Sequence, residues 1–266
     1  MKVSVSMWSY RMFFESEKMD LVSFVQEVKR INADGFEIFP QYLGKEPEKN
    51  IALLAELAKK NNLEISALIV GNDFNKPTLK ERTDEVEKMR WFIKNASENG
   101  IFRLNTFTGY HVEKTEPLVE TFRVVDCYRE VVSLAGEKKV FLCIENHSSV
   151  CSDADSLLFL IKMVGSENLV TNPDISNFVP EFYLRSESSR EVMYKETEKI
   201  APLAKNAHLK IDTFKETGEH PYIDVKRYIN ILKKYNYTGH IVLEYYGNSD
   251  PSYSCNLGVK LLRKFI

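Results

Sequence analysis

Short apolar runs alternate with longer amphipathic runs along the whole chain. The short runs are rich in Val, Ile, Leu and Phe and predict eight β-strands, at residues 2–8, 35–39, 64–70, 102–107, 140–145, 169–174, 207–211 and 240–245. The longer runs place apolar residues at helical spacing and predict helices at residues 19–32, 51–61, 84–99, 117–134, 154–164, 190–204, 224–235 and 256–265. Strand and helix therefore alternate from end to end.

This alternation predicts a parallel sheet with right-handed crossovers. Eight strand–helix units favour closure into a (β/α)8 TIM barrel, and the 266 residues are close to the roughly 250 that such a barrel needs. No GxGxxG follows the first strand and no GxxxxGK[ST] occurs, which disfavours a nucleotide-binding open sheet. Because no linker or composition shift interrupts the pattern, we expect one domain over residues 1–266.

Composition narrows the classes of partner. Lys plus Arg (36) nearly balances Asp plus Glu (38), so no basic excess favours nucleic acid or an anionic membrane. No apolar run is long enough for a transmembrane helix, and the N-terminal segment lacks signal-peptide features. The four cysteines form no CxxC pair, so we expect reduced thiols. These features favour a cytoplasmic protein that acts on a small molecule.

Four polar residues interrupt or end the apolar runs of the last four predicted strands: Glu145, Asp174, His208 and Glu244. In a βα barrel the C-terminal ends of the strands meet at one rim, where active sites are built. One such residue alone would usually be solvated or ion-paired. Three carboxylates brought together would repel one another unless a cation neutralised them, and all four side chains are metal-ligand types. The set therefore predicts one divalent metal ion.

Further rim residues are candidates for contacts with a substrate. Lys210 lies two residues after His208, so it shares that strand face and could bind a substrate oxygen or stabilise an enolate. His147, two residues after Glu145, could contact substrate or act as an acid, and a structural hydrogen bond remains equally open. Glu37 and His111 are weaker candidates for polar contacts, and an ion pair is the alternative for Glu37.

Aromatic and amide side chains also gather at the strand ends. Trp8 and Phe107 could stack on a carbohydrate face, although ordinary barrel packing explains such rings equally well. Asn72, at the end of the third strand, is a further candidate for substrate binding. The long irregular segment 175–189 could be a lid or a passive insertion.

Several segments together resemble one known family. ENH after the fifth strand, NPDISNF after the sixth, HLKID at the seventh and EYYG at the eighth are similar to the xylose isomerase-like TIM barrels, and MWSY, GFEIF and ISALIVGNDF fit the earlier strands. The family includes sugar isomerases and epimerases, inosose dehydratase-type lyases and endonuclease IV. The resemblance implies that Glu145, Asp174, His208 and Glu244 bind one divalent ion (Mn, Zn, Co or Mg). It also implies that Glu145 and Glu244 exchange protons with substrate, and that a homodimer or homotetramer is an open alternative to a monomer.

The sequence departs from the family in two ways that bear on function. Asn177 stands where epimerase members often carry a histidine, and it could still bind a substrate hydroxyl. The extra histidines of endonuclease IV are missing, since the third strand offers Asn72 and no Asp-x-His follows the seventh. An AP endonuclease is therefore a remote alternative. A non-catalytic sugar-binding protein is another, because it would be expected to have lost a metal ligand and none of the four is lost.

The expected function is a metal-dependent isomerase or epimerase of a small sugar. Glu145 and Glu244, assisted by Lys210, would abstract and return a proton next to a carbonyl through a metal-stabilised enediolate. A lyase or dehydratase acting on a keto-inositol or 3-keto-glycoside shares that first step and remains open. The segment GNSDPSYS has no basic residue near its start, which favours a substrate without phosphate.

Overall fold

Eight parallel strands form the centre of the molecule. The computed structural model describes residues 1–147, 150–180 and 183–266. The strands are β1 (Lys2–Ser6), β2 (Gly35–Ile38), β3 (Glu64–Ile69), β4 (Arg103–Thr106), β5 (Phe141–Glu145), β6 (Leu169–Asn172), β7 (Ala207–Ile211) and β8 (His240–Tyr245).

The strands are arranged in the order β6-β5-β4-β3-β2-β1-β8-β7. The two edge strands, β6 and β7, approach each other through isolated bridges between Thr171 and Ala204 and between Asp174 and His208. These bridges bring the sheet round on itself. The (β/α)8 fold class predicted from the sequence is confirmed.

The helices follow the strands in turn. They are α1 (Arg11–Glu15), α2 (Leu21–Arg30), α3 (Pro47–Lys60), α4 (Leu79–Glu98), α5 (Pro117–Glu137), α6 (Ala154–Val164), α7 (Glu187–Ile200), α8 (Val225–Lys234) and α9 (Pro251–Arg263). Their starts follow from local chemistry. Asp20 and Thr78 form capping boxes at α2 and α4, while proline occupies the first position of α3, α5 and α9.

Each strand presents two faces with different chemistry. Alternate side chains such as Val3, Leu142 and Leu209 are fully buried in the core shared with the helices. The positions between them point the opposite way, into the barrel, and on β5 and β7 these include Glu145 and His208. The strands thereby carry polar groups on otherwise apolar segments.

The main differences from the sequence prediction lie at element ends. The strand predicted at 169–174 ends at Asn172, so Asp174 lies beyond it. Helices α3, α4 and α9 begin four or five residues earlier than predicted, because a proline or a threonine cap starts each helix ahead of its apolar pattern.

The segment 175–189, predicted to be irregular, contains a 3-10 helix, Ile175–Phe178, and the start of α7 at Glu187. Residues 181 and 182 of that segment lie outside the described residues, so its role as a lid stays a prediction.

Among the described residues, no helix combines the length and apolar character needed to cross a lipid bilayer. All four cysteines are free and buried.

Candidate metal centre and active site

The C-terminal ends of β5 and β8, the residues that follow β6 and the second residue of β7 bring four ligand-type side chains together. His208 therefore lies near the start of its strand rather than at its end, where the sequence predicted it. Glu145, Asp174, His208 and Glu244 each offer an atom within 4.8 Å of the others, and all four are buried. The predicted metal-ligand set is therefore assembled at one place in the described part of the chain.

Glu37 orients the His208 ring from the side that faces away from the cluster. Its Nε2 lies 2.9 Å from Glu37 Oε1, while its Nδ1 faces the cluster, 3.3 Å from Glu244 Oε2 and 3.5 Å from Glu145 Oε2. An ionised carboxylate only accepts, so Nε2 donates to Glu37. Nδ1 faces the cluster and would present its lone pair to an ion once it is deprotonated. A carboxylate behind the ring is the usual way in which a metal-ligating histidine is oriented.

Asp174 is held by its neighbours on both sides. Asn146 accepts a hydrogen bond from the Asp174 backbone N–H at 2.8 Å and donates to its carbonyl at 2.9 Å, and Asp174 Oδ1 accepts from the Ser176 N–H at 2.9 Å. The other oxygen, Oδ2, is buried and accepts no hydrogen bond from the described residues.

The cluster contains unmet hydrogen-bonding capacity. Asp174 Oδ2 and His208 Nδ1 are buried and have no hydrogen-bond partner among the described residues. Buried polar atoms without partners are rare and call for an explanation such as a bound ion. Carboxylate oxygens with one imidazole suit Mn²⁺, Zn²⁺, Co²⁺ or Mg²⁺, so the residues present fit a divalent ion.

The negative charges of the cluster raise the pKa values of two of its side chains. Burial, together with Glu145 and Glu244, raises the pKa of Asp174 to about 8. Burial opposes the charge on His208, but Glu37 and Glu145 raise the pKa of its imidazole well above the ordinary value. Without an ion, protons on Asp174 and His208 provide the neutralisation that a divalent cation would otherwise give.

Three amide groups surround Glu145. Asn105 Nδ2 donates to Glu145 Oε2 at 2.7 Å, Asn177 Nδ2 donates to Oε1 at 2.9 Å, and Asn172 Nδ2 lies 3.4 Å from Oε2. All three donors are neutral and fix the plane of the carboxylate. Glu145 is thus oriented by amides on both of its oxygens.

Glu244 is oriented differently, by a cation. Lys210 Nζ lies 3.4 Å from Glu244 Oε1 and 3.5 Å from Asn177 Oδ1. Burial opposes the charged form, yet Lys210 and His208 lower the pKa of Glu244 to about 2. The Asn177 amide lies between Glu145 and Lys210, and so joins the two glutamates across the site.

The cluster opens into a cavity of about 340 Å³. Glu145, Lys210 and Glu244 form its polar floor. The remaining lining is mainly aromatic or small and consists of Trp8, Phe39, Ile69, Gly71, Asn72, Phe107, Gly109, Tyr110 and His147. The cavity therefore combines ionised groups at its floor with apolar walls.

One wall of the cavity is the segment 107–112 after β4. Its start is tied to the loop after β3, because Asn72 donates to the Phe107 carbonyl at 2.6 Å and accepts from the Phe107 N–H at 2.9 Å. Asp73 Oδ1 accepts from the Tyr110 N–H at 3.2 Å. Gly109 has φ +113°, and a Cβ there would lie 2.2 Å from Asp73 Oδ1. Only glycine allows this close approach.

The far end of the same wall is tied to α5. Buried Glu120 accepts from the Val112 N–H and from Asn75 Nδ2, at 2.6 and 2.9 Å, and lies 2.6 Å from His111 Nδ1. Asn75 Nδ2 also donates to the Tyr110 carbonyl at 2.8 Å. Side chains thus hold this segment at both ends while the Tyr110 ring stays exposed.

Most of the predicted site residues gather at the cavity. Trp8, Asn72, Phe107 and His147 line it together with Glu145, Lys210 and Glu244. The His147 ring packs edge-on against Phe107 at 5.4 Å between centroids. Asn177 does not line the cavity but donates to Glu145.

The structure places two predicted contact residues elsewhere. Glu37 is fully buried behind His208 and does not line the cavity, so its partner is the imidazole rather than a substrate or a basic residue of the surface. His111 does not line the cavity either and pairs with Glu120. Glu37 therefore orients a proposed ligand, and His111 helps to hold the cavity wall.

The sequence did not reveal three asparagine side chains whose amides contact the carboxylates of Glu145 and Glu37. Asn105 and Asn172 contact Glu145, and Asn206 Nδ2 lies 3.4 Å from Glu37 Oε1. A signal was present, because each is a buried amide within or beside an otherwise apolar strand. Such residues need partners inside the barrel.

A barrel of eight parallel strands, with a buried carboxylate–imidazole cluster opening into a cavity at their C-terminal ends, defines a TIM-barrel protein with an enzyme-like site. The model of one family, the xylose isomerase-like TIM barrels, matches residues 25–265. The chain belongs to this family. A search of curated protein sequences finds no significant match.

Solved structures with the same fold cover nearly the whole chain. A 3-keto-D-glucoside 4-epimerase from E. coli has a TM-score of 0.78 at 15% identity, and a D-tagatose 3-epimerase-like protein has 0.75 at 20%; in both pairs 99% of each chain is covered. A probable 3-DHS dehydratase from Bacillus anthracis has 0.72 at 17% identity, also with 99% of each chain covered. At these identities the similarity establishes the fold.

Proposed function

We propose that the protein is a divalent-metal-dependent epimerase or isomerase of a small sugar. The observation that carries the proposal is the convergence of Glu145, Asp174, His208 and Glu244 beside a cavity that the two glutamates line, with a buried oxygen and a buried nitrogen of the cluster left without a hydrogen bond to any described residue. The epimerases among the structures of the same fold support it.

The residues divide the chemistry between them. Glu145, Asp174, His208 and Glu244 would hold the ion, which supplies Lewis-acid polarisation of a carbonyl when bound. Glu145 and Glu244 both reach the cavity floor, so one can remove a proton next to the carbonyl and the other can return one. Lys210 keeps Glu244 ionised and presents its ammonium to a developing negative oxygen.

The charges and walls of the cavity favour a neutral carbohydrate. The carboxylates of Glu37, Glu145, Asp174 and Glu244 outnumber the positive charges of Lys210 and a divalent ion, so the site does not attract an anion. Trp8 and Phe107 supply flat apolar faces of the kind that pack against sugar C–H groups. We propose a ketose or keto-glycoside without phosphate as the substrate class.

A second candidate is a lyase or dehydratase that shares the proton abstraction. His147 lines the cavity, and an imidazole there could protonate a leaving hydroxyl after the proton is removed. A dehydratase is also among the structures of the same fold.

The deciding experiment is to incubate candidate ketoses and 3-keto-glycosides in D₂O with the Mn²⁺-loaded protein and to analyse the products by mass spectrometry. A stereoisomer carrying one deuterium supports the epimerase. A product lighter by one water supports the dehydratase and overturns epimerisation.

Variants of the two glutamates test the roles of the residues. Glu145→Gln and Glu244→Gln keep the shape of the side chain but cannot accept a proton, and we expect each to abolish deuterium uptake. Glu64→Gln, at the opposite end of the barrel, is the matched control and should retain it. If both site variants exchange deuterium as the wild type does, the proposed mechanism is wrong.

A further inference from the structure

The barrel has one seam that differs from its other strand pairings. In the described part of the chain, every other neighbouring pair shares a ladder of at least two consecutive residue pairs, whereas β6 and β7 meet only at two isolated bridges. The backbone hydrogen bonds across this seam run from the Lys205 N–H to the Thr171 carbonyl (3.2 Å) and from the His208 N–H to the Pro173 carbonyl (2.9 Å). Few backbone bonds therefore hold the seam closed.

The candidate metal ligands are distributed evenly across this seam. Glu145 and Asp174 come from β5 and from the residues after β6, on one side. His208 and Glu244 come from β7 and β8, on the other side. Asp174 and His208 face each other at one of the two bridges. An ion bound by all four would therefore join the two edges of the sheet.

A buried tyrosine lies on the seam at the level of these ligands. The hydroxyl of Tyr228, on α8, donates to the His208 carbonyl at 2.9 Å and to the Pro173 carbonyl at 3.1 Å. One proton is thus shared between a carbonyl on each side of the seam. The Tyr228 side chain is fully buried, so water does not compete for this hydrogen bond.

We propose that Tyr228 is a positioning residue of the metal site: its hydroxyl holds the β6–β7 seam at the spacing at which Asp174 and His208 can share one ion. The inference rests on the proposed metal site. It adds that ion binding and closure of the barrel are one coupled event. A metal that binds only the closed seam stabilises it, and an intact seam raises the affinity for the metal.

The test compares two tyrosine-to-phenylalanine variants. Tyr228→Phe removes the hydroxyl at the seam. Tyr237→Phe removes another buried hydroxyl, which donates to the His240 carbonyl at the opposite end of the barrel, and is the matched control. Mn²⁺ affinity is measured by calorimetry on the metal-free proteins.

We expect Tyr228→Phe to weaken Mn²⁺ binding by about tenfold, the lower end of the effect of outer-sphere partners on metal affinity. Tyr237→Phe should bind Mn²⁺ as tightly as the wild type. A merely structural role for Tyr228 predicts equal affinity for all three proteins, and that result would overturn the inference while leaving the metal site in place. If the wild type itself does not bind Mn²⁺, the proposed metal site fails and the inference fails with it.

Hydrogen exchange keeps the inference testable if Tyr228→Phe does not fold. In the wild type, Mn²⁺ should slow exchange at the Lys205 and His208 amides, which bond across the seam. Amides at the N-terminal end of the β2–β3 pairing, where Gly35 lies opposite Glu64 and Phe36 opposite Ile65, should change little. Uniform slowing of both groups, or no slowing at the seam, contradicts the coupling.

Discussion

Each end of the barrel contains a buried histidine held by a glutamate, yet the two ends have different chemistry. At the C-terminal end, His208 Nε2 pairs with Glu37 and its Nδ1 faces the carboxylate cluster. At the N-terminal end, His240 Nε2 lies 2.9 Å from Glu64 and its Nδ1 lies 2.6 Å from the Ser4 hydroxyl. Both nitrogens of His240 therefore make hydrogen bonds, whereas His208 Nδ1 faces two carboxylates but makes no hydrogen bond among the described residues.

The proton affinities of the two rings differ in the same way. Burial lowers the pKa of His240, and Glu64 only partly offsets this. Burial acts on His208 too, but the surrounding carboxylates raise the pKa of its imidazole. A buried histidine that pairs with a glutamate therefore does not by itself indicate a metal site. The indication at His208 is an excess of negative charge around the ring together with a buried nitrogen that makes no hydrogen bond in the described part of the chain. His240 has neither feature.

The largest expected difference comes from replacing each histidine with asparagine. His208→Asn removes a proposed ligand, so we expect Mn²⁺ affinity to fall by more than the about 10–100-fold that loss of an outer partner causes. His240→Asn should leave Mn²⁺ affinity unchanged and lower the free energy of unfolding by about 1–3 kcal/mol, because the Ser4 hydroxyl loses its buried partner. Calorimetry and urea denaturation measure the two effects. Equal loss of Mn²⁺ affinity in both variants would remove the distinction between the two ends.

The carboxylates behind the rings give the next test. Glu37→Gln leaves His208 without an anionic acceptor, and we expect Mn²⁺ affinity to fall about 10–100-fold. Glu64→Gln at the other end should not affect Mn²⁺ binding. If Glu37→Gln binds Mn²⁺ like the wild type, Glu37 does not orient the ligand.

The dependence of stability on pH is expected to have opposite signs at the two ends of the barrel. Without metal, the folded protein binds a proton at Asp174 up to about pH 8, whereas the unfolded chain releases it near about pH 4. The cluster therefore contributes a stability that decreases as pH rises from about 4 to 8. Because Mn²⁺ replaces these protons, the rise in melting temperature on adding Mn²⁺ should increase with pH over the same range.

His240 produces the contrary trend. The unfolded chain protonates this histidine below about pH 6.5, while the folded protein resists protonation, so the contribution of His240 to stability is lost as pH falls through that value. Urea denaturation of the metal-free wild type and of His240→Asn, between about pH 5 and 8, separates the two trends. The difference in unfolding free energy between them should shrink towards the acidic end of this range, and a constant difference would contradict the proposed role of His240.

The smallest effect is expected at the surface. Lys2 pairs with Glu64, and both side chains are about half exposed. Lys2→Met should change the free energy of unfolding by less than about 1 kcal/mol, because exposed ion pairs are screened by solvent. A larger loss in urea denaturation would show that Lys2 supports the His240 end through Glu64.

The sequence was sufficient to predict which residues share a face or lie near the end of a single strand. The period of two placed Lys210 on the face of His208, and the strand ends indicated Glu145 and Glu244. It could not show that Glu37 on β2 meets His208 on β7, because that contact depends on how the barrel closes. Asn105 was missed for a related reason, since an amide inside an apolar strand shows a need for partners but not which partner meets it.

The way in which segment 107–112 is held has a consequence for the evolution of the cavity. The segment is held by Asn72, Asp73, Asn75 and Glu120, none of which belongs to the metal-ligand set. Exchanging the exposed Tyr110 ring for other side chains alters the mouth of the cavity while the tethers and the ligands stay in place. We therefore expect substrate preference to diverge among descendants of this chain by changes at a single loop tip, while the proposed proton-transfer chemistry is inherited unchanged.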